Sequence, residues 1–226
     1  MPGENRLFTF PFSHYCVSAE RMLSFKGIPY RPIRTPYHDH QELLRATGQD
    51  YIPTLIAGDR VVLWHALPEF LEKLQPTPTL YPDGRRALSG LLENWGHQVL
   101  EERVWRAVVT RVAPRLSSDQ ERWVFEEMQT RARGPWHVLE SRRAEFEAEA
   151  LEYLRMVDGL VADRPWVLDA PGLADFGIYG GLSPWLSAGN RIPSELRALS
   201  RWVRRVEGIP STALGPTHPR ARRRSA

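Results

Sequence analysis

Residues 10–30, FPFSHYCVSAERMLSFKGIPY, decide how the chain reads. Leu7–Phe10 is a short apolar strand that Pro11 ends. Ser13 then stands in N-cap position before a segment in which Ala19, Met22, Leu23 and Lys26 recur at helical spacing. Gly27 closes the helix predicted over His14–Lys26, and Tyr30–Arg34 supplies a second strand. Strand, helix and strand in so short a compass predict a βαβ opening.

Working outward, Gln41–Ala46 reads as a short helix closed by Gly48. Thr54–Ala57 and Val61–Leu63 read as a hairpin about Gly58-Asp59-Arg60. His65–Leu74 is amphipathic, and Pro68 is tolerable because it falls in the first turn. The order predicts a small mixed sheet with helices on its faces. Gln75–Gly84 (QPTPTLYPDG) is proline-rich and aperiodic, as a linker is. Beyond it, Arg85–Val112, Ser118–Arg133, Val138–Val161, Ala174–Ala188 and Ser194–Val206 are helical by period and length. Trp95, Trp105, Trp123, Trp166, Trp185 and Trp202 punctuate this half, most expected in its core and the rest around a ligand cavity.

With 226 residues, 42% hydrophobic and 25% charged, the chain can build one large or two modest cores, which excludes wholesale disorder and fibrous architecture. No apolar run approaches the roughly 20 residues of a membrane-spanning helix. MPGENRLFTF lacks the layout of a signal peptide, so a cytoplasmic protein without a membrane partner is expected. Cys16 is the only cysteine, which excludes an internal disulfide and a cysteine-rich zinc site. Arg220, Arg222, Arg223 and Arg224 carry more positive charge than the whole net excess of +3. The basicity is thus mostly a solvated tail, and nucleic-acid binding is not expected.

The segment at 10–30, followed by YIPTL (51–55), GDRVVL (58–63), HALPEFLEKL (65–74), the proline-rich linker and an all-helical half, resembles the glutathione S-transferase family over nearly the whole chain. The resemblance implies a thioredoxin-like thiol-binding domain over residues 1–75, a linker over 76–84, an all-helical domain over 85–208 and a basic tail over 209–226. It also implies glutathione or another small thiol as cosubstrate, no metal, a small electrophile as substrate, and a homodimer.

Ser13 matches the position at which that family places its active Ser, Tyr or Cys. A helix N-terminus presents unpaired N–H groups and positive partial charge, so a thiol held there ionises more readily and a donated hydroxyl favours its thiolate. Ser13 is equally suited to an ordinary N-cap, and both roles are compatible. Cys16 stands where redox relatives carry the second cysteine of a CxxC pair, with Ser13 in place of the first. Either Cys16 forms a mixed disulfide with a small thiol, or it is a buried apolar side chain.

Ile52-Pro53 matches the family's Val-Pro dipeptide, implying a cis bond and an Ile52 backbone that pairs with the cysteinyl unit of a bound thiol. His38, or its neighbour His40, matches a basic residue that meets the glycyl carboxylate; two histidines around Asp39 are too few ligands for a metal. Trp64-His65 departs from the acidic residue or Gln followed by Ser that usually holds the γ-glutamyl group. Trp64 offers a ring face and His65 a donor, or Trp64 only packs.

Gly172 to Asp175 resembles the family's helix-capping box, with Gly in place of the hydroxyl residue. Glu101-Glu102 reads as a solvated helix face, and His97 and His137 carry no assigned role. The fold expected is α/β plus all-α. The function expected is activation of a bound thiol toward an electrophile, with a non-catalytic binding protein or a monothiol reductase through Cys16 as alternatives.

Overall fold

A computed structural model describes residues 4–215. Strands β1 (Arg6–Thr9), β2 (Arg31–Arg34), β3 (Thr54–Ala57) and β4 (Arg60–Leu63) form one sheet in the order β2-β1-β3-β4. β1 and β2 run parallel, joined by α1 (His14–Phe25), while β1–β3 and β3–β4 are antiparallel. Alternation along the strands sorts the side chains: Leu7, Leu55 and Val62 join the main core, which includes Ala19, Met22 and Leu23 of α1 and Leu67 and Leu71 of α3 (Leu67–Leu74). Phe8 and Ile56 face the other way, onto Leu43 of α2 (Gln41–Thr47). The α/β-then-helical architecture read from the sequence is the one observed.

The helical half comprises α4 (Arg86–Trp95), α5 (Glu101–Val112), α6 (Asp119–Arg133), α7 (Trp136–Ser141), α8 (Arg143–Leu160), α9 (Leu173–Ser187) and α10 (Arg197–Glu207). Every residue of α9 from Leu173 to Trp185 is buried, which suits a helix apolar all round. Its glycines let it lie directly on the parts that carry the site. A Cβ at Gly181 would collide with the carbonyl oxygen of Gly96, and one at Gly180 with Ser18 Oγ and, at 2.7 Å, with the His14 carbonyl. The start of α1 is thereby pressed onto the central helix.

Four expectations change in detail. The predicted helix over 85–112 is interrupted by a π-helical turn at Gly96–Leu100. The predicted helix over 138–161 breaks at Arg142, whose φ and ψ of −97° and 11° leave the helical region. The helix expected from His65 opens as a 3-10 turn at Trp64–Ala66. The start of the expected tail is built into the fold: the N–H of Tyr30 donates to the Thr212 carbonyl at 3.3 Å, and the N–H of Leu214 to the Tyr30 carbonyl at 2.7 Å. The four arginines of the tail lie outside the described residues.

The proline-rich connection is pinned at both ends. Buried Lys26 donates to Glu72 and to the carbonyls of Gln75 (2.7 Å) and Pro78 (2.6 Å). Leu80 and Tyr81 are buried, and the Leu80 carbonyl accepts from the N–H of Leu173 at 2.8 Å. That contact accounts for Gly172: a Cβ there would stand 2.6 Å from the Leu80 oxygen and 2.7 Å from Pro82, so the connector backbone serves one exposed helix donor where a capping hydroxyl has no room. Asp175 completes the box by accepting from the N–H of Gly172 at 3.1 Å. Of the tryptophans, Trp105, Trp185 and Trp202 are core, whereas Trp123 is 64% exposed.

Candidate functional site

Ser13 caps α1 as its sequence position requires: its backbone is extended and its Oγ accepts from the N–H of Cys16 at 3.4 Å. It is only half-buried, and it lines a cleft of about 180 Å³ between the sheet-bearing part and the helical half. The other walls are His14, Tyr37, Glu101, Trp105, Gln129 and Arg133. Two of these come from α5 and two from α6.

The cleft is polar and electrostatically interlocked. Arg133 donates to Glu101 at 2.9 Å and to Gln129 at 2.6 Å, and lies over the Trp105 ring. His14 Nδ1 stands 3.3 Å from Glu101. Burial pushes the Glu101 carboxyl up to about 7, against the pull of Arg133. Burial, then His97 and Arg133, hold the His14 imidazole well below the usual histidine range, so it is neutral at neutral pH. The positive charge in the cleft is therefore Arg133 together with the N–H groups at the start of α1.

Behind it lies an aromatic wall. Tyr15 meets Trp64 at 4.2 Å and His97 at 4.4 Å between ring centres, and Gln98 donates to the Tyr15 hydroxyl at 2.6 Å. His97 and Gln98 both come from the π-helical turn. His97 is 2% exposed, its Nε2 lies 3.3 Å from Ser18 Oγ, and burial pushes its imidazole down to about 3.

The two parts are braced beside the cleft. Fully buried Glu121 accepts from Arg34 at 2.8 and 2.9 Å, from the N–H of Tyr37 at 3.2 Å, and from the N–H and hydroxyl of Ser117 at 3.0 and 2.6 Å. Burial raises its carboxyl, but the bonds from Ser117 and Arg34 prevail and hold it below the usual carboxylate range. Tyr37 thereby keeps its place as a cleft wall, edge-on to Phe10 at 4.5 Å.

The residues singled out in the sequence are placed unequally. Ser13 opens on the cleft. Cys16 is fully buried, and burial, only partly offset by Ser13, pushes its thiol up to about 11. Its full burial matches the reading as an apolar side chain and keeps the thiol out of contact with solvent. The Ile52–Pro53 bond is cis and directly precedes β3. His38 is half-buried in the loop after β2, while the alternative His40 places Nδ1 3.1 Å from the Asp50 carbonyl. Trp64 packs on Tyr15 and His65 is exposed. Ile52, Pro53, His38, Trp64 and His65 do not line the cleft.

His14, Tyr37, Glu101, Gln129 and Arg133 escaped sequence reasoning. Glu101, expected on a solvated face, is 6% exposed, directly after the π turn and held between His14 and Arg133. Among the described residues, no group of three His, Cys, Asp or Glu side chains could hold a metal, and no helix is long and apolar enough to cross a membrane.

Residues 7–63 match the family model described as glutathione S-transferase, N-terminal domain. A search of curated proteins by sequence returns no match. Among solved structures, a glutathione transferase from Phanerochaete chrysosporium is 15% identical, with 93% of this chain and 98% of that chain covered and a TM-score of 0.74. Glutaredoxin 2 from Salmonella typhimurium, solved in complex with glutathione, is 17% identical, with 90% and 93% covered and a TM-score of 0.71. A glutathione S-transferase from Rhodospirillum rubrum is 19% identical, with 92% and 90% covered and a TM-score of 0.68. The chain therefore has the glutathione S-transferase fold, a thioredoxin-like part followed by helices.

Proposed function

We propose that the protein binds glutathione or a closely related small thiol at the start of α1 and activates its sulfur for attack on an electrophile seated in the cleft. The observation that carries this reading is Ser13: a half-exposed hydroxyl at a helix N-terminus, on the wall of a cleft made by both parts of the chain. Its O–H donates to the thiol sulfur and the adjacent N–H groups share the charge, so the thiolate forms nearer neutral pH. The thiol proton passes to water, the sulfur lone pair forms the new C–S bond, and either the leaving group departs with its bonding pair or, in an addition, the π pair shifts to the neighbouring atom, which takes a proton from water. Ile52 would pair its backbone with the cysteinyl unit, His38 would meet the glycyl carboxylate, and Trp64 and His65 would border the γ-glutamyl end. Pro53 would hold the Ile52 backbone in place. Cys16 has no part in this reading. The fold shared with glutathione transferases also supports a homodimer and a cytoplasmic site of action.

The cleft's lining favours a compact, polar electrophile. Six of its seven wall residues carry hydroxyl, imidazole, carboxyl, amide or guanidinium groups, and the rings of Tyr37 and Trp105 supply flat apolar faces. Isomerisation through a transient thiol adduct would use the same groups.

Trp64 favours a second reading, a binding protein without turnover, because its ring is already engaged by Tyr15 and it offers no acceptor to an ammonium. Conjugation kinetics over a panel of electrophiles separates the two. The transferase reading expects turnover that Ser13→Ala lowers roughly ten- to hundredfold in kcat/KM. Saturable thiol binding with no turnover on any electrophile supports the second reading, and absence of thiol binding refutes both.

A further inference from the structure

A second cleft, of about 300 Å³, lies far along the helical half between the segment after α8 and helix α10. Ala162, Asp163, Arg164 and Pro165 form one wall, and Arg201 and Arg205 form the other. The two arginines of α10 are four residues apart and so share a face. Three arginines thus line a space whose lining holds one acidic residue, Asp163.

Both walls are held by buried hydrogen bonds. Asp175 accepts from the N–H of Val167, just past the first wall, at 3.0 Å, and from Trp202 Nε1, next to Arg201, at 2.7 Å. Asp158, near the end of α8, accepts from the N–H of Leu199 at 2.7 Å. Arg205 donates across the cleft to the Pro165 carbonyl at 3.3 Å. Arg164 stands 4.0 Å from Asp169, which is shared with Arg85 at 3.4 Å.

The charge is also unlike its surroundings. On α5, Arg103, Arg106 and Arg111 each meet a glutamate. Among the described residues, Arg201 and Arg205 form no ion pair with a carboxylate. Arg201 and Arg205 are exposed and can meet an anion with several oxygens through charge-assisted, bidentate bonds.

We propose that this cleft binds a compact phosphate-bearing anion, with Arg164, Arg201 and Arg205 gripping its oxygens. A solvent-open patch limited to these few residues suits a compact diphosphate group and not the continuous track a nucleic-acid backbone needs. The site is independent of the thiol site proposed above.

Calorimetric titration of the full chain with inorganic pyrophosphate tests it. One-to-one saturable binding is expected, at least about tenfold weaker in the Arg201→Ala/Arg205→Ala double variant, the loss of one or two charge-assisted bonds. An Arg45→Ala/Arg60→Ala variant removes the same charge from exposed positions in the sheet-bearing part, and its affinity should stay within about twofold of the parent. Thermal melting of both variants checks that they fold. The proposal is overturned by no saturable binding in the parent, by equal losses in the two double variants, or by full binding in the α10 variant.

Discussion

Replacing Glu121 with alanine should do more damage than any surface ion pair could, because one carboxylate serves four donor groups at the junction of the two parts. Its loss leaves the N–H of Tyr37 and of Ser117 without their acceptor and strands the Arg34 guanidinium. Breaking a buried pair from one side costs about 3–5 kcal/mol. The Arg34 side chain is 31% exposed and can turn partly to water, which places the expected loss near the lower end, about 3 kcal/mol. That is a large share of the roughly 5–15 kcal/mol by which a folded chain is stable. Urea unfolding at neutral pH reads it directly, and a cycle with Arg34→Met isolates the pair: the double variant should be less destabilised than the two single losses summed. The pH dependence has a definite sign. The folded-state carboxyl lies below its unfolded value, so its contribution is present above the unfolded carboxylate range, about 4.3, and is lost as pH falls through the folded value. Parent and variant should therefore converge in acid. A loss under about 1 kcal/mol, or additive single and double variants, would refute the reasoning.

Asp175 should show the opposite pH sign. Burial, partly countered by Trp202, Val167 and Gly172, pushes its carboxyl up to about 6, so its favourable contribution is complete below the unfolded value and disappears as pH rises through about 6. Relative to Asp175→Asn, the parent should lose stability between about pH 4 and 6.5 in denaturant titrations, and a flat difference would count against a carboxyl that titrates so high. Cys16, buried with its thiol near 11, should react with a thiol-specific reagent at least roughly a hundredfold more slowly than a free cysteine near pH 7.5, and normally once unfolded. Fast labelling of the native protein would favour the redox reading.

The parts of the fold that could be read in the sequence are those set by local rules. Ser13 before an apolar-periodic run, Gly27 after it and the turn at Gly58 act within a few residues, so the β-α-β opening and the hairpin followed directly. The cleft did not, because its chemistry is assembled across distance. Arg34 and Glu121 are brought together only by the packing of α6 beside β2, and Arg133 reaches Glu101 across two helices. The π turn at Gly96–Leu100 has no signature in apolar spacing, so Glu101 read as solvated and His97 as idle. Gly172 reads as a capping position with Gly in place of the hydroxyl residue, and nothing near it in sequence points to the Leu80 carbonyl that fills the space a side chain would need. The break at Arg142 falls inside a run, Glu140 to Arg143, that holds neither glycine nor proline, so no local signal marks it.

The most direct test is the ionisation of glutathione on the protein, followed by ultraviolet thiolate absorbance across pH in the parent and in Ser13→Ala. Stabilisation of the sulfur at the start of α1 predicts a bound thiol that ionises about one unit or more below the free thiol, and a return toward the free value when the hydroxyl is removed. A bound thiol that titrates as it does in solution, or an alanine variant indistinguishable from the parent, would contradict it.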